Sequence, residues 1–385
     1  MQEAFIIQSK RTAIGKSGKG GLAQVRPDDL GAYVIQDILK RVPSLNPAEI
    51  DDCVIGCSFP EAEQGMNMAR IMTLRAGLPI DVAGVTINRF CSSGLQAISM
   101  AADRIRLGEA EAMIAGGAES MSMVPMGGAK PAPNPYLVQH APQAYVSMGI
   151  TAENVAMKYE ITREQQDTFA ASSHQKAWAA QSSGRFEDEI VPVPLPMYGK
   201  PGEKWFAKDE GIRPETTPES LAKLRTAFKA GGTVTAGNSS QTSDGAAMTL
   251  LMSEQKVKAL DLKPVAVWRG YAVAGVEPEL MGIGPIKAIP KVLKQVGLTL
   301  DQIDLFELNE AFASQSLAIL KTLEIDPAKV NVNGGAIAFG HPLGCTGAKL
   351  TATLLSEMTK RKLKYGMVTM CIGGGMGAAG IFELL

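Results

Sequence analysis

The chain has 385 residues, 45% of them hydrophobic and 20% charged, with a net charge of −1. That length exceeds one ordinary hydrophobic core and suggests two or three domains, and the near-neutral balance gives no reason to expect nucleic acid or an anionic membrane as a bulk partner. No run approaches the roughly 18 apolar residues of a membrane helix. The five cysteines are too scattered for a disulfide framework, and the three histidines, His140, His174 and His341, do not join them at metal-ligand spacing, so no zinc site is expected. Glycine is abundant, at 40 residues, which predicts places where backbones approach closely.

Met1 to Ile7 reads directly as a strand with no signal segment before it, and Phe382 to Leu385 carries no Ser-Lys-Leu address, so a cytoplasmic protein is expected. Residues 37–42 end a helical pattern, Ile50–Gly56 and Val85–Asn88 read as strands, and Cys91-Ser-Ser-Gly opens an Ala-rich helix to about Leu107. Strand Ala112–Gly117 follows. The same order recurs later: a helix ending at residues 291–296, strands at Ile303–Leu308 and Val330–Asn333, Gly340-His-Pro-Leu-Gly opening a helix to about Thr359, and strand and glycines at Met367–Gly374. This agreement over about ninety residues predicts an internal duplication. The alternation of helix and strand predicts α/β halves with parallel or mixed sheets.

The middle of the chain breaks the pattern. It holds Met-, Pro- and Gly-rich loops at 121–142, helices at Thr151–Tyr159 and Arg163–Ser182, and a proline-rich stretch at Val191–Pro201. It reads as an insertion lying over the core. Ligands in open α/β sheets bind beyond the carboxyl ends of strands, and Cys91, the His341 loop and the Gly373 loop all fall there.

Taken singly, each of these residues has a plain structural reading beside a chemical one. Cys91 is either a packed thiol or a nucleophile whose pKa is lowered at a helix N-terminus, favouring thiolate. His341, in Ala-Phe-Gly-His-Pro-Leu-Gly, is either a structural histidine or a base. The duplication sets it at nearly the place Cys91 holds in the first half, so two facing halves bring the pair together. Cys371 precedes Ile-Gly-Gly-Gly-Met-Gly, either a tight turn or a set of N–H groups for an oxyanion. Asn309 is a helix cap or a donor to a carbonyl oxygen. Cys53 and Cys57 are expected to pack, Cys345 has no evident role, and His174, on a helix among Ser, Gln and Lys, is expected to be solvated.

Together the motifs resemble the thiolase family over essentially the whole chain. They are Asn88-Arg-Phe-Cys-Ser-Ser-Gly94, Gly232-Thr-Val-Thr-Ala-Gly-Asn-Ser-Ser240, Asp244-Gly-Ala, Asn309-Glu-Ala-Phe312, Gly334 through His341 to Gly347, and Cys371-Ile-Gly-Gly-Gly-Met-Gly377. The resemblance implies two duplicated five-stranded α/β halves packed face to face, with boundaries at 1–119 plus 244–262 and at 263–385, and an inserted loop domain at 120–243 that binds CoA and the acyl chain. It implies Cys91 as the acylated nucleophile, His341 as its activator and Cys371 as acid/base. Asn309, through a water, and His341 resemble one oxyanion hole; the N–H groups of Cys91 and Gly373 resemble a second. Ser240 matches a residue beside the pantetheine arm, Arg213 one near the CoA nucleotide, and Ser147, Met148 and Phe312 match substrate-lining positions. Coenzyme A is then a co-substrate, with no bound cofactor, and a homodimer or tetramer is expected. Ser147 stands where enzymes acting on acetoacetyl-CoA carry histidine. The stretches Gly-Ile-Arg-Pro, Asn-Ser-Ser-Gln and His-Pro-Leu-Gly-Cys-Thr-Gly look more like degradative 3-ketoacyl-CoA thiolases of fatty-acid β-oxidation. The alternatives are an acetoacetyl-CoA thiolase and the thiolase subunit of a β-oxidation complex.

Overall fold

The computed structural model describes residues 2–195 and 204–385. Its main strands are β1 (Ala4–Thr12), β2 (Asp52–Gly56), β3 (Ala83–Ile87), β4 (Ala112–Ser120), β5 (Ser243–Ser253), β6 (Ala266–Gly275), β7 (Leu305–Leu308), β8 (Tyr365–Ile372) and β9 (Met376–Leu384). The longer helices are α1 (Pro27–Arg41), α2 (Met68–Ala76), α3 (Ser93–Arg106), α4 (Met148–Lys158), α5 (Arg163–Ser182), α6 (Gly284–Val296), α7 (Ala313–Leu323) and α8 (Leu343–Arg361).

Strand order in the first half is β3-β2-β4-β5-β1 and in the second β7-β8-β9-β6. In the first, β2 is parallel to β3 and β4, and β4, β5 and β1 then alternate antiparallel. The second repeats the sense, with β7 parallel to β8 and then β8, β9 and β6 antiparallel. The duplication read in the sequence is therefore present in strand order too. A short antiparallel pairing, Phe5 with Val267 and Ile6 with Ala266, joins the two halves edge to edge.

The strand expected at Val330–Asn333 is reduced to one parallel bridge between Phe306 and Val330. Asn331 is the cause, because its backbone turns left-handed at φ 45°, a conformation asparagine tolerates. Its side-chain amide continues the ladder instead, accepting from the Leu308 N–H at 2.9 Å and donating to the Leu308 carbonyl at 2.8 Å.

Helices α1 and α2 cover the outer face of the first half, where Leu30, Ile35 and Met72 pack with Ile55 and Leu250. Helices α6 and α7 cover the second, where Ile289, Val292 and Ile319 pack with Phe306 and Ile381. Between the halves lie α3 and α8. Leu95, Ile98, Leu350 and Leu354 there pack with Val54 and Met113 from one half and Trp268, Val368 and Phe382 from the other. The absence of charge between Ser92 and Ala102 fits a largely enclosed helix, with Met100 on its open side.

Glycines set how closely these two central helices cross. A Cβ on Gly94 would lie 2.8 Å from the Ala348 nitrogen, and one on Gly347 2.4 Å from the Leu95 nitrogen. One on Gly117, at the end of β4, would lie 2.1 Å from the Gly344 carbonyl oxygen. Any side chain at these positions holds the helices apart.

The stretch between β4 and β5 is fastened to β1 and α8 by buried charge. On β1, Arg11 donates from Nε to Glu189 at 2.6 Å and bidentately to Asp209 at 2.8 and 2.9 Å. Asp209 also accepts from the Ile14 N–H at 2.7 Å, and Glu189 from the Thr353 hydroxyl of α8 at 2.9 Å. Such a cluster is tolerated because its charges are opposed and hydrogen-bonded together. Helix α5 spans the expected residues and opens with a capping box at Thr162. Helix α4 starts at Met148 instead of the expected Thr151. Of the proline-rich stretch, 196–201 lie outside the described residues.

Gly347→Val should lower the thermal midpoint, because overpacking a close crossing costs about 1–3 kcal/mol. Gly275→Ala is the control, since a Cβ there meets nothing within 4 Å. Calorimetry of the two variants beside the parent checks this, and equal midpoints for all three would refute the crossing's role.

Candidate active site

Beyond β3 the chain turns through Asn88 and Arg89 into a 3-10 turn, Phe90–Ser92, that leads into α3. Asn88 shapes the turn, accepting from the Phe90 N–H at 2.8 Å and donating to the Ser58 carbonyl at 2.9 Å. The Ser93 hydroxyl closes it, accepting from the Arg89 N–H at 2.8 Å and donating to the Phe90 carbonyl at 2.7 Å. Phe90 is held at φ 42°, an uncommon conformation for an aromatic residue and one that local hydrogen bonds must enforce. Cys91 follows at the tip, 8% exposed.

From the second half, Gly340 turns at φ 108°, where an added Cβ would stand 1.9 Å from Ser243 Oγ. The next residue, His341, donates its N–H to the Gln241 carbonyl at 2.8 Å. Its ring is buried, with Nδ1 2.6 Å from Thr346 Oγ1 and Nε2 3.3 Å from Asn309 Nδ2. Asn309 itself is anchored by its N–H on the Thr369 carbonyl at 3.0 Å, and its Oδ1 is buried without a partner. Cys371, the last but one residue of β8, packs with Met148, Met281, Ala311 and Phe312. Gly374 and Gly375 then turn at φ 81° and 83°. A Cβ on Gly373 would stand 3.6 Å from the Phe90 ring and 3.9 Å from Met148 Sδ. The structure therefore brings Cys91, His341, Asn309, Cys371, Gly373, Met148 and Phe312 to one place.

Burial pushes the Cys91 thiol up to about 11, against the backbone N–H groups of Gly373 and of Cys91 itself, which favour the thiolate, while the Glu119 carboxylate adds to the rise. This corrects the expectation of a lowered pKa. The regular helix begins at Ser93, after the 3-10 turn, and desolvation of an enclosed thiol outweighs what N–H groups supply. Cys371 is raised by burial and then by its neighbour Cys91. Burial alone pushes His341 down to about 4. At neutral pH the resting site thus holds two thiols and an uncharged imidazole, and the thiolate has to form as a reactant arrives.

Sequence reasoning missed Glu119. Its buried carboxylate accepts from the Ser58 N–H at 2.7 Å, the Phe59 N–H at 3.3 Å, Gln64 Nε2 at 2.9 Å and the Gly344 N–H at 2.7 Å. One side chain thereby ties a loop of the first half to the start of α8. A carboxylate closing an apolar strand, Ala112 to Ser120, at its carboxyl end was the available signal.

The more distant residues form an outer rim. Ser240 is half-buried and donates its N–H to the Ala311 carbonyl at 2.9 Å. Ser147 is exposed at the start of α4. Phe228, also missed, meets Phe312 edge-on at 6.1 Å and stays 42% exposed, leaving an apolar lip. Arg213 is exposed and not joined to the thiols; its N–H donates to His174 Nδ1 at 3.1 Å. That bond corrects the reading of His174 as solvated, for it is 2% exposed and pushed down to about 4, by burial first and then by Arg213 and Lys16. Cys57 lies with its Sγ 3.6 Å from Glu119, and Cys53 and Cys345 are buried. Among the described residues no cluster of His, Cys, Asp or Glu is arranged to hold a metal ion. No described helix is long and apolar enough to cross a membrane.

Two thiols, an imidazole and backbone N–H groups around one sulfur can carry a group covalently and move a proton beside it. The thiolase N-terminal domain model matches residues 4–255 and the thiolase C-terminal domain model 262–384, so the chain belongs to the thiolase family and is an acyltransferase. It is 57% identical to the 3-ketoacyl-CoA thiolase of Bacillus subtilis, over 100% of each chain. It is 48% identical to the acetyl-CoA acetyltransferase of Chromobacterium violaceum, over 98% of each, and 47% identical to the human peroxisomal 3-ketoacyl-CoA thiolase, over 99% of this chain and 91% of that one. Its structure is similar to that of the Bacillus anthracis acetyl-CoA acetyltransferase, with a TM-score of 0.92 at 43% identity, covering 100% and 99% of the two chains.

The thiolate band of Cys91, taken as the difference between parent and Cys91→Ser spectra without substrate, should rise only as pH approaches about 11. A band titrating at or below the ordinary thiol value, about 8.5, would show that burial does not dominate this site.

Proposed function

We propose that the chain is a 3-ketoacyl-CoA thiolase, cleaving its substrate with coenzyme A to acetyl-CoA and a chain-shortened acyl-CoA. The observation that carries this reading is the meeting of Cys91 and Cys371 at one buried place with His341 and Asn309 alongside. Cys91 attacks the C3 ketone as its proton passes to His341. The C2–C3 bond breaks, and the acetyl-CoA enolate leaves, its oxygen held by His341 and, through a water, Asn309. Cys371 supplies the proton to the α-carbon. The N–H groups of Cys91 and Gly373 hold the oxygen of the acyl thioester until a second CoA removes the acyl group, so the kinetics are ping-pong. Coenzyme A is the co-substrate and no bound cofactor is needed. Arg213 on the exposed rim suits the CoA nucleotide and Ser240 the pantetheine arm, while Met148 and Phe312 line the approach.

The cytoplasm is the proposed setting, and a homodimer or a tetramer built from it the proposed assembly. Strand β3 supports the dimer. It lies at the free edge of the sheet with Ala83 and Val85 exposed, and an unpaired edge is a template for a second copy. Service as the thiolase subunit of a β-oxidation complex is compatible with the same site.

Acid/base work by Cys371 makes the half-reactions separable. Cys371→Ser should slow exchange of the acetyl α-protons by about two orders of magnitude or more while Cys91 still takes up acyl label from acyl-CoA. NMR of the exchange and peptide mapping of the label check both halves, and wild-type exchange in the variant would remove Cys371 from this role.

Degradative specificity is read from Ser147, which is exposed and smaller than the histidine of acetoacetyl-CoA enzymes. A few extra methylenes, each contributing roughly 0.8 kcal/mol on burial, should raise kcat/KM by about one to two decades. The test is kcat/KM for C4, C8 and C12 3-ketoacyl-CoA in the parent and in Ser147→His. A strong preference for C4 in the parent would favour the second reading, an acetoacetyl-CoA thiolase, which the similarity to acetyl-CoA acetyltransferases supports. A long-chain preference untouched by Ser147→His would keep the class and discard Ser147 as its cause.

A further inference from the structure

Helix α8 carries four threonine hydroxyls whose partners differ. Thr351 and Thr359 donate back to the carbonyls of Gly347 and Leu355, both at 2.8 Å, the usual local bond of a helical threonine. Thr353 donates to Glu189. Thr346 does neither, although it is 2% exposed and has every reason to satisfy its hydroxyl locally. It turns to His341 Nδ1 at 2.6 Å, while the Pro342 carbonyl, its local acceptor, takes the Cys345 N–H at 2.8 Å.

The other ring nitrogen points to the sense of that bond. Asn309 Nδ2 is directed at Nε2 from 3.3 Å. A nitrogen facing an amide donor offers its lone pair, so the ring proton belongs on Nδ1 and is donated to Thr346 Oγ1. That tautomer puts the basic lone pair on Nε2, which takes a proton as the contact with Asn309 yields.

We infer that Thr346 is the positioning residue of this site: its hydroxyl accepts from His341 Nδ1, holds the ring with Nε2 as the base, and steadies the imidazolium formed when the Cys91 proton arrives. Charge does not do this work. The ionisable groups on the elements packed around His341 are Glu119 on β4, Asp244 on β5, Glu307 on β7, Glu310 next to Asn309, Lys349 on α8, and the thiols Cys91, Cys345 and Cys371. Glu119, Asp244 and Glu310 are committed to Gly344, Ser122 and Ser173 respectively. Among the described side chains only Asn309 and Thr346 bond to the ring. A neutral hydroxyl thus occupies the place where a charged carboxylate orients the base in the serine-protease triad.

The inference rests on Cys91 being the reactive thiol, and alkylation by iodoacetamide tests the two separately. In that reaction the C–S bond forms, C–I breaks, iodide leaves, and the thiol proton passes to His341 Nε2. At high pH the thiolate is already free and needs no base. Peptide mapping of the carbamidomethyl group to Cys91 tests the underlying reading alone. With that established, Thr346→Val, which keeps the shape and removes the acceptor, should lower the alkylation rate between about pH 6 and 8 by about tenfold, the worth of one such bond. The alkaline limb should stay unchanged, and Thr346→Ser should restore the neutral rate. An unchanged neutral rate in Thr346→Val overturns the inference. So does an equal change on both limbs, which marks general disturbance of the site, and so does a Thr346→Ser variant as slow as Thr346→Val.

Discussion

The site depends on how closely α3 and α8 cross. Each helix begins just after one functional loop, Cys91 before α3 and His341 before α8. The distance between those loops is therefore set by the distance between the helix starts. Gly94, Gly117 and Gly347 let backbone meet backbone where any Cβ would intrude. Glu119 then locks the approach, taking N–H groups from both halves on one carboxylate. Packing the helices this tightly also seals the thiols from water, and that sealing raises Cys91 and lowers His341. Proximity and resting inertness follow from the same crossing. With the thiol and the imidazole both uncharged at neutral pH, any reaction at Cys91 has to begin with the removal of its proton.

Much of this was legible in the sequence, for a definite reason. The duplication repeats strand and helix patterns that each follow local periodicity, so Asp52–Gly56, Ala112–Ser120 and Tyr365–Ile372 were found nearly where they lie. The equivalence of Cys91 and His341 across the repeat predicts that the thiol and imidazole face one another. What local pattern cannot carry is the response of a group to its whole surroundings. The helix-terminus argument for Cys91 has the sign of one contribution right and the balance wrong, because enclosure is a property of the whole packing and not of a motif. His174 failed likewise: its neighbours along α5 are polar, yet the segment after Asp209 closes over it. Asn331 reads as a strand residue because its flanking valines fit one, and the left-handed turn that makes its side chain a substitute strand leaves no periodic trace.

The buried charges around Arg11 belong to another layer of the design. They join β1, α8 and the segments at Glu189 and Asp209, which come from three widely separated stretches of sequence. Apolar side chains could fill the same volume, often at no loss of stability. Charged partners instead accept only one geometry, and Asp209 opens the stretch that carries the exposed Arg213 to the rim. The position of that rim is thereby referred to β1, in the middle of the sheet.

The place of β5 in the sheet has a consequence for how the polypeptide is made. It lies between β4 and β1 and pairs along its length with both, yet it begins at Ser243, long after β4 ends at Ser120. On a ribosome adding about 5–20 residues each second, β1 and β4 therefore wait on the order of ten seconds for the strand that separates them. Through that interval each presents an open hydrogen-bonding edge with apolar neighbours, the situation in which nascent chains pair wrongly. The intervening stretch must meanwhile emerge without claiming the vacant lane. The molecule's first half is consequently completed late, by a strand inserted into its middle, and production of this protein is most exposed to misassembly while residues 121–253 are being synthesised.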